Sequence, residues 1–315
     1  MADLGHRSRS RSRGQLILVT ALALAAIFLG LAVIVNSAIF TENLATRNEN
    51  VESTEALEYR HSVTQYMGEI VEFANEHNNS QYDYIERNVS DGTADASLYT
   101  SIQQAEDGVG LSLSFSSYTD GARIFQNDGS TFENNESTTG DWDLATDIDN
   151  TRAFEFEITT PDDFKIIADN GSDTWTLNIN ASSEEITVDS PSLPPVTCDY
   201  TTLKSFDITA GTINESPCPA LIDNRDGKST RLADAFDDDY KIRFEQGTGI
   251  QGNYSLVIDN DNIASIRDSD YAAVDGPGTG PYVRPAMYSA RFELEYETPR
   301  VLYETDITVA PGESP

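Results

Sequence analysis

The side chains that most often do chemistry are few in this chain and poorly placed for partnership. Its histidines are His6, His61 and His77. All three precede the region where a strand-like pattern begins, so a Ser-His-Asp or Cys-His mechanism in that region lacks its base. His61 and His77 are 16 positions apart. On a helix that spacing puts them on nearly opposite faces, where they cannot share a metal. The cysteines are Cys198 and Cys218, both in loop-rich sequence. Outside the cytoplasm such a pair is expected to form a disulfide. Two thiolates with no histidine after them are too few ligands for zinc.

Carboxylates are abundant, 53 in all, so choosing two of them as a glycosidase acid and base would be arbitrary. The run Asp223-Asn-Arg-Asp-Gly227 has the outline of a calcium loop. It fails the EF-hand pattern, because Arg225 takes an acidic ligand position and Gly227 comes one residue early. Asp237 to Asp239, and Asp259 with Asp261, read as solvated acidic surface. No P-loop or dinucleotide-binding glycine pattern occurs. The sequence therefore predicts no catalytic residue, no resident metal and no cofactor. Seven Asn-x-Ser/Thr sequons, at Asn78, Asn88, Asn135, Asn170, Asn180, Asn214 and Asn253, are glycosylation candidates for an exported domain.

What positions these residues begins with charge. The formal net charge is −33. Four of the 20 basic residues, Arg7, Arg9, Arg11 and Arg13, are packed into the first 14 positions, and only four lysines occur in the whole chain. Such a surface repels itself at low salt and is screened in strong brine. Nucleic acid is excluded as a partner, because phosphate contacts need clustered Lys and Arg.

Leu16 to Phe40 is apolar and uncharged. It is long enough to cross a bilayer as a helix, and too long for the apolar core of a cleaved secretory signal. With arginines before it and net acidic sequence after it, the positive-inside rule puts residues 1–14 in the cytoplasm and everything after Phe40 outside. The lipid bilayer is thus the first expected partner.

Residues 41–78 hold no proline and one glycine, Gly68. Tyr59, Val63, Tyr66, Ile70 and Phe73 recur at helical spacing, which predicts a helical stalk whose last turns pack on a β-rich domain. Residues 79–110 read as a polar connector. From Leu111 the period becomes 2. Leu111/Leu113/Phe115, Phe154/Phe156/Ile158, Trp175/Leu177/Ile179, Tyr240/Ile242/Phe244, Tyr254/Leu256/Ile258 and Tyr288 to Tyr296 each alternate with polar residues. That pattern marks half-buried strands. Turn signals stand at Asp120-Gly121, Asp128-Gly129, Asn170-Gly171, Asp226-Gly227 and Asp275 to Pro281. The predicted class is α+β: a long membrane-plus-stalk helix, then a mainly antiparallel, sandwich-like domain over 111–315. Pro191 to Pro195 offers one place where that domain could divide.

Arg13-Gly14-Gln15, followed directly by the apolar helix, resembles the start of archaeal type IV pilins and related haloarchaeal surface proteins. The resemblance implies cleavage between Gly14 and Gln15 by a dedicated peptidase, with the apolar helix kept as anchor and filament core. Val19 stands where many pilins carry a glutamate implicated in subunit packing. The same start also resembles anchored tight-adherence pilus-assembly proteins of the TadE/TadG-like kind. The segment Arg291 to Glu304 is similar to an uncharacterised haloarchaeal family of this architecture. Partners implied are other pilin-like subunits or a secretion platform. The competing expectations are a tethered extracellular hydrolase and a tethered ligand-binding or sensing domain.

Overall fold

The computed structural model describes residues 54–77, 79–106, 108–127, 129–136, 139–260, 269–273 and 280–311. The leader, Leu16–Phe40 and residues 41–53 lie outside the described residues. No helix among those described is long and apolar enough to cross a membrane.

Two sheets, antiparallel throughout, dominate. The larger has the order Ser216–Pro217 (β10), Thr212–Ile213 (β9), Ser205–Asp207 (β8), Thr151–Thr160 (β3), Gln251–Ile258 (β14), Gly110–Gln126 (β1), Tyr282–Glu297 (β15) and Leu302–Val309 (β16). The smaller has the order Trp142–Ile148 (β2), Tyr240–Glu245 (β13), Phe164–Asp169 (β4), Thr174–Asn180 (β5), Glu185–Ser190 (β6) and Leu193–Asp199 (β7). Asn224–Arg225 (β11) and Lys228–Ser229 (β12) form a separate ribbon.

Alternation dictates how the sheets meet. Phe154, Phe156 and Ile158 of β3 and Tyr254, Leu256 and Ile258 of β14 point to one face. They share a single core with Phe164 and Ile166 of β4, Trp175, Leu177 and Ile179 of β5 and Ile242 and Phe244 of β13. Phe132 is the hub, with ring centroids 5.2 to 5.9 Å from those of Phe156, Phe164, Phe244 and Tyr254. The contacts with Phe164 and Tyr254 are edge-to-face, and such contacts add to the burial of each ring, which itself is worth about 2–3 kcal/mol. The β-rich, sandwich-like domain predicted from alternation is therefore present.

β1 and β15 are 17 and 16 residues long and serve a second core. Leu113 of β1, Phe292 and Leu294 of β15, and Ile307 and Val309 of β16 are covered by two helices. The first, over residues 54–76 (α1), contributes Val63, Met67, Val71 and Ala74. The second, Tyr82–Ala105 (α2), contributes Ile85, Val89 and Ala96. Met67 lies against Thr93, and Ile70 fills the space beside Gly92.

Three expectations change here. The polar connector is for the most part the 24-residue helix α2. The buried stripe of α1 is also turned from the predicted one. Val63 is buried and Tyr59 and Ile70 are half-buried, but Tyr66 and Phe73 are 52% and 60% exposed. At about 100° per residue, Met67, Val71 and Ala74 lie roughly 100° around the helix from Tyr66 and Phe73, so the sheet meets the slimmer face. Finally, Pro191 to Pro195 spans the β6–β7 hairpin, and the main core draws on residues from both sides of it, so no division falls there.

Among the turn signals, Asn170-Gly171 and Asp226-Gly227 close hairpins. Asp226 and Gly227 both have positive φ, as a two-residue hairpin turn requires. Asp120-Gly121 lies inside β1 instead, where any Cβ on Gly121 would strike the carbonyl of Ile258. That glycine is there for close strand approach.

Candidate functional site

A polar cleft of about 440 Å³ lies on the face of the large sheet opposite the aromatic core. Strand register builds its floor. Asp207 of β8, Glu155 of β3 and Ser255 of β14 stand side by side, as do Ser205, Glu157 and Asn253 in the next row. Residues two apart on a strand face the same way, so the period that buries Phe154 and Phe156 presents Glu155 and Glu157 to the cleft.

Arg123 of β1 is its buried cation. Its Nε donates to Ser255 Oγ at 2.9 Å and its Nη2 to Glu76 Oε1 at 3.3 Å, and its guanidinium lies 4.6 Å from the ring centre of Phe125. Burial lowers its pKa, while Glu76, Glu72 and Glu155 oppose that. Glu76 closes the wall from the last turn of α1.

Glu155 is the perturbed acid. Its pKa is raised to about 7, first by desolvation, then by Asp207, Glu72 and Glu76, with Arg123 opposing. The side chain still reaches solvent through the cleft mouth, so water moderates the desolvation and the neighbouring carboxylates carry more weight than burial alone would suggest. The sign of the pH effect follows. The folded state holds a proton that the unfolded chain has already lost between pH 4.5 and about 7. The stability this confers is full below pH 4.5, falls through that window, and is gone above about 7. Thermal melts at constant salt should show a modest decline across the window, and Glu155→Gln should flatten it. An unchanged profile in the variant would mean that Glu155 does not titrate there.

Chemically the cleft offers carboxylates around one guanidinium, with hydroxyls from Ser205, Thr212 and Ser255. It suits hydrogen bonding to a polar ligand. No histidine lines it: among the described histidines, His61 is exposed on α1 and His77 stacks on Phe73 just beyond that helix's end. Among the described residues, no group of three or more His, Cys, Asp or Glu is placed to hold a metal ion.

The predicted disulfide is formed. Cys198 of β7 joins Cys218, with their Cα atoms 5.8 Å apart. Cys218 follows β10 and precedes the short helix Pro219–Ile222 (α3). β7 and β10 are the outer strands of different sheets, so the bond staples the sandwich at one margin. By chain entropy, closing this loop contributes about 3 kcal/mol.

The calcium-like run is the β11–β12 hairpin, with Asp223 ion-paired to Arg225 rather than facing a cation. Asp259 accepts from the backbone N–H groups of Asp149 and Asn150 and so serves as a turn cap.

The sequons scatter over the surface. Asn78 lies outside the described residues, as do Gly14 and Gln15. Asn88 is half-buried on α2 and Asn135 is exposed. Asn170 and Asn180 cap the turns at the two ends of β5 through their side-chain carbonyl oxygens. Asn253 accepts from Gly129 N–H and lines the cleft. Asn214 accepts from Lys204 and Ser205 N–H while its Nδ2 donates to Thr202 O at 2.6 Å, the nitrogen a glycan would occupy.

Sequence reasoning did not single out Arg123 or Glu155, because one arginine among 20 basic residues and one acid among 53 carry no spacing signal. Comparison with protein families, curated proteins and solved structures finds no match to this chain.

Proposed function

We propose that the protein is a membrane-anchored surface protein with a structural, pilin-like or pilus-assembly role, its β-rich head displayed outside the cell in strong brine. The observation that carries this reading is the attachment of α1. In chain order α1 follows the apolar segment Leu16–Phe40, and it is fastened to the large sheet along its inner face and by Asn75, Glu72 and Glu76 near its end. A head fixed rigidly to the element leading from an anchor suits load-bearing display. The disulfide and the acidic surface fit an exported, salt-screened location.

The test is the mature N-terminus, read by mass spectrometry of membrane and medium fractions. A start at Gln15 is expected, with the apolar helix retained, and Gly14→Val should block processing. A start near Ile39 in the medium would mean secretion and would sink the reading. An intact N-terminus would leave a plain tether outside any pilus pathway.

A second reading, a tethered ligand-binding head, is favoured by the cleft around Arg123 and Glu155. Loss of binding to a polar ligand in Arg123→Gln, with the fold intact, would support it. The hydrolase alternative gains no histidine from the cleft lining.

A further inference from the structure

The cleft on the large sheet holds a donor that the fold leaves over. The Arg123 side chain is only 10% exposed. Its Nε and Nη2 are taken by Ser255 and Glu76, and its guanidinium lies against the ring of Phe125. Among the described residues Nη1 has no hydrogen-bond partner, and Arg123 lines the cleft. A guanidinium buried to this degree forfeits a hydrogen bond unless water or a ligand accepts from it. Three contacts fix its position, so it meets a ligand without reordering.

Acceptors stand beside it. Asp207, Glu155, Ser255 and Phe125 are neighbours across β8, β3, β14 and β1, and Ser205, Glu157 and Asn253 form the next row. Directly opposed side chains sit about 5 Å apart. Asp207 uses Oδ1 to cap the turn at Thr209 and Ala210, which leaves Oδ2. No hydrogen bond or ion pair among the described residues occupies the Glu157 side chain. Ser255 Oγ accepts from Arg123 and keeps its own proton to give. Glu155, its pKa raised to about 7 by burial and then by Asp207, carries a proton in part of the population at neutral pH and can give it too.

Resting on the ligand-binding reading above, we infer that this cleft takes a neutral saccharide, whose hydroxyls donate to Glu157 and Asp207 and accept from Arg123 Nη1 and Ser255. A hydroxyl both donates and accepts, which is what donors and acceptors one strand apart require. The volume, about 440 Å³, falls within the range of small-molecule pockets. Geometry disfavours charged ligands without appeal to long-range attraction, which strong brine screens beyond about 3 Å. An oxyanion binds arginine best through two parallel N–H bonds. Here Nε and Nη2 are engaged, so that fork is closed. For a metal ion, among the described residues no three acidic, histidine or cysteine side chains converge.

The experiment uses the full chain in phosphatidylcholine nanodiscs in molar salt. Maltotriose, cellotriose and chitotriose are the probes, spermidine and citrate are the charged comparisons, and binding is read by titration calorimetry. At least one trisaccharide should bind, with an affinity that stays within about twofold when the salt concentration is doubled. Arg123→Gln and Glu157→Ala should each weaken it roughly tenfold. Glu157 is exposed on the cleft floor, so its replacement leaves the fold intact. Undiminished binding in either variant would put the saccharide elsewhere and overturn the proposal. Binding of spermidine or citrate but of no trisaccharide, lost in Arg123→Gln, would overturn it while leaving a ligand-binding head standing. No binding of any probe would overturn both.

Discussion

Lowering salt from molar to about 0.1 M should unfold or expand the β-rich domain, and its outer strand β16 should go first. The sheet register shows why. Across β15 and β16, Glu293 is paired with Asp306 and Glu295 with Glu304. Glu155 stands opposite Asp207 on β3 and β8, and Glu185 opposite Asp199 on β6 and β7. Side chains directly opposite in an antiparallel ladder sit about 5 Å apart, and like charges there are destabilising. The Debye length is about 10 Å at 0.1 M and about 3 Å at 1 M, so only strong brine screens these contacts. Among the described residues, the ion pair offsetting them near the outer strand is Arg291 with Asp306 at 4.0 Å, both exposed. Thermal midpoints by circular dichroism should fall steeply as salt is lowered. Glu304→Lys should raise the low-salt midpoint and hardly move the high-salt one. Equal midpoints at both salts in the native chain would dismiss the argument.

Those pairs were invisible in the sequence, although the alternation that produces them was plain. Arg291 to Glu297 reads as one strand with a charged face. Nothing in it says that its neighbour will be Leu302 to Val309, whose own charges then fall in register. Strand existence is a local property, set by period, and so Phe154 to Ile158, Trp175 to Ile179 and Tyr240 to Phe244 were legible. Pairing is a property of the whole chain. The same divide explains α2. Its buried positions Ile85, Val89, Thr93 and Ala96 do keep helical spacing, but they are sparse and modest in size. Short peptides of that composition would not hold a helix alone, and the sheet beneath supplies the stability. On α1 the largest side chains misled, since aromatic bulk drew attention to Tyr66 and Phe73 while Met67 and Val71 met the sheet.

The cleft was less legible still. Its floor comes from β1, β3, β8 and β14, which span Arg123 to Ser255, and no local spacing links them. The disulfide was easier, because two cysteines leave one intramolecular pairing. The sequon asparagines were found by pattern, but their use as turn caps at Asn170, Asn180 and Asn214 depends on backbone geometry that a three-residue pattern does not contain.

Arg152→Ala should be among the most damaging single changes in the protein, costing about 3 kcal/mol and loosening α1 from the head. Arg152 is wholly buried at a register shift in β3, between Thr151 and Ala153, that aims it under the helix. A second shift, in β15, inserts Tyr288 between Met287, opposite Asp120 of β1, and Ser289, opposite Thr119. A bulge leaves backbone groups that must be satisfied otherwise. Arg152 Nη1 donates to Met287 O and Tyr288 O, each at 2.9 Å. Asn75 of α1 completes the joint, donating to Met287 O at 3.0 Å and accepting from Met287 N–H at 2.7 Å. Glu72 lies 3.5 Å from Arg152 Nη2, but its side chain is 41% exposed and its charge stays partly hydrated. The carbonyl bonds, rather than the ion pair, should therefore dominate. Denaturant melts in molar salt should show a large loss for Arg152→Ala, with α1 newly open to protease, and less than about 1 kcal/mol for Glu72→Gln. Arg152→Met, which keeps most of the packing and loses the donors, should fall near Arg152→Ala. If Glu72→Gln cost as much as Arg152→Ala, the ion pair would be the true fastening. A near-native Arg152→Met would instead assign the role to packing.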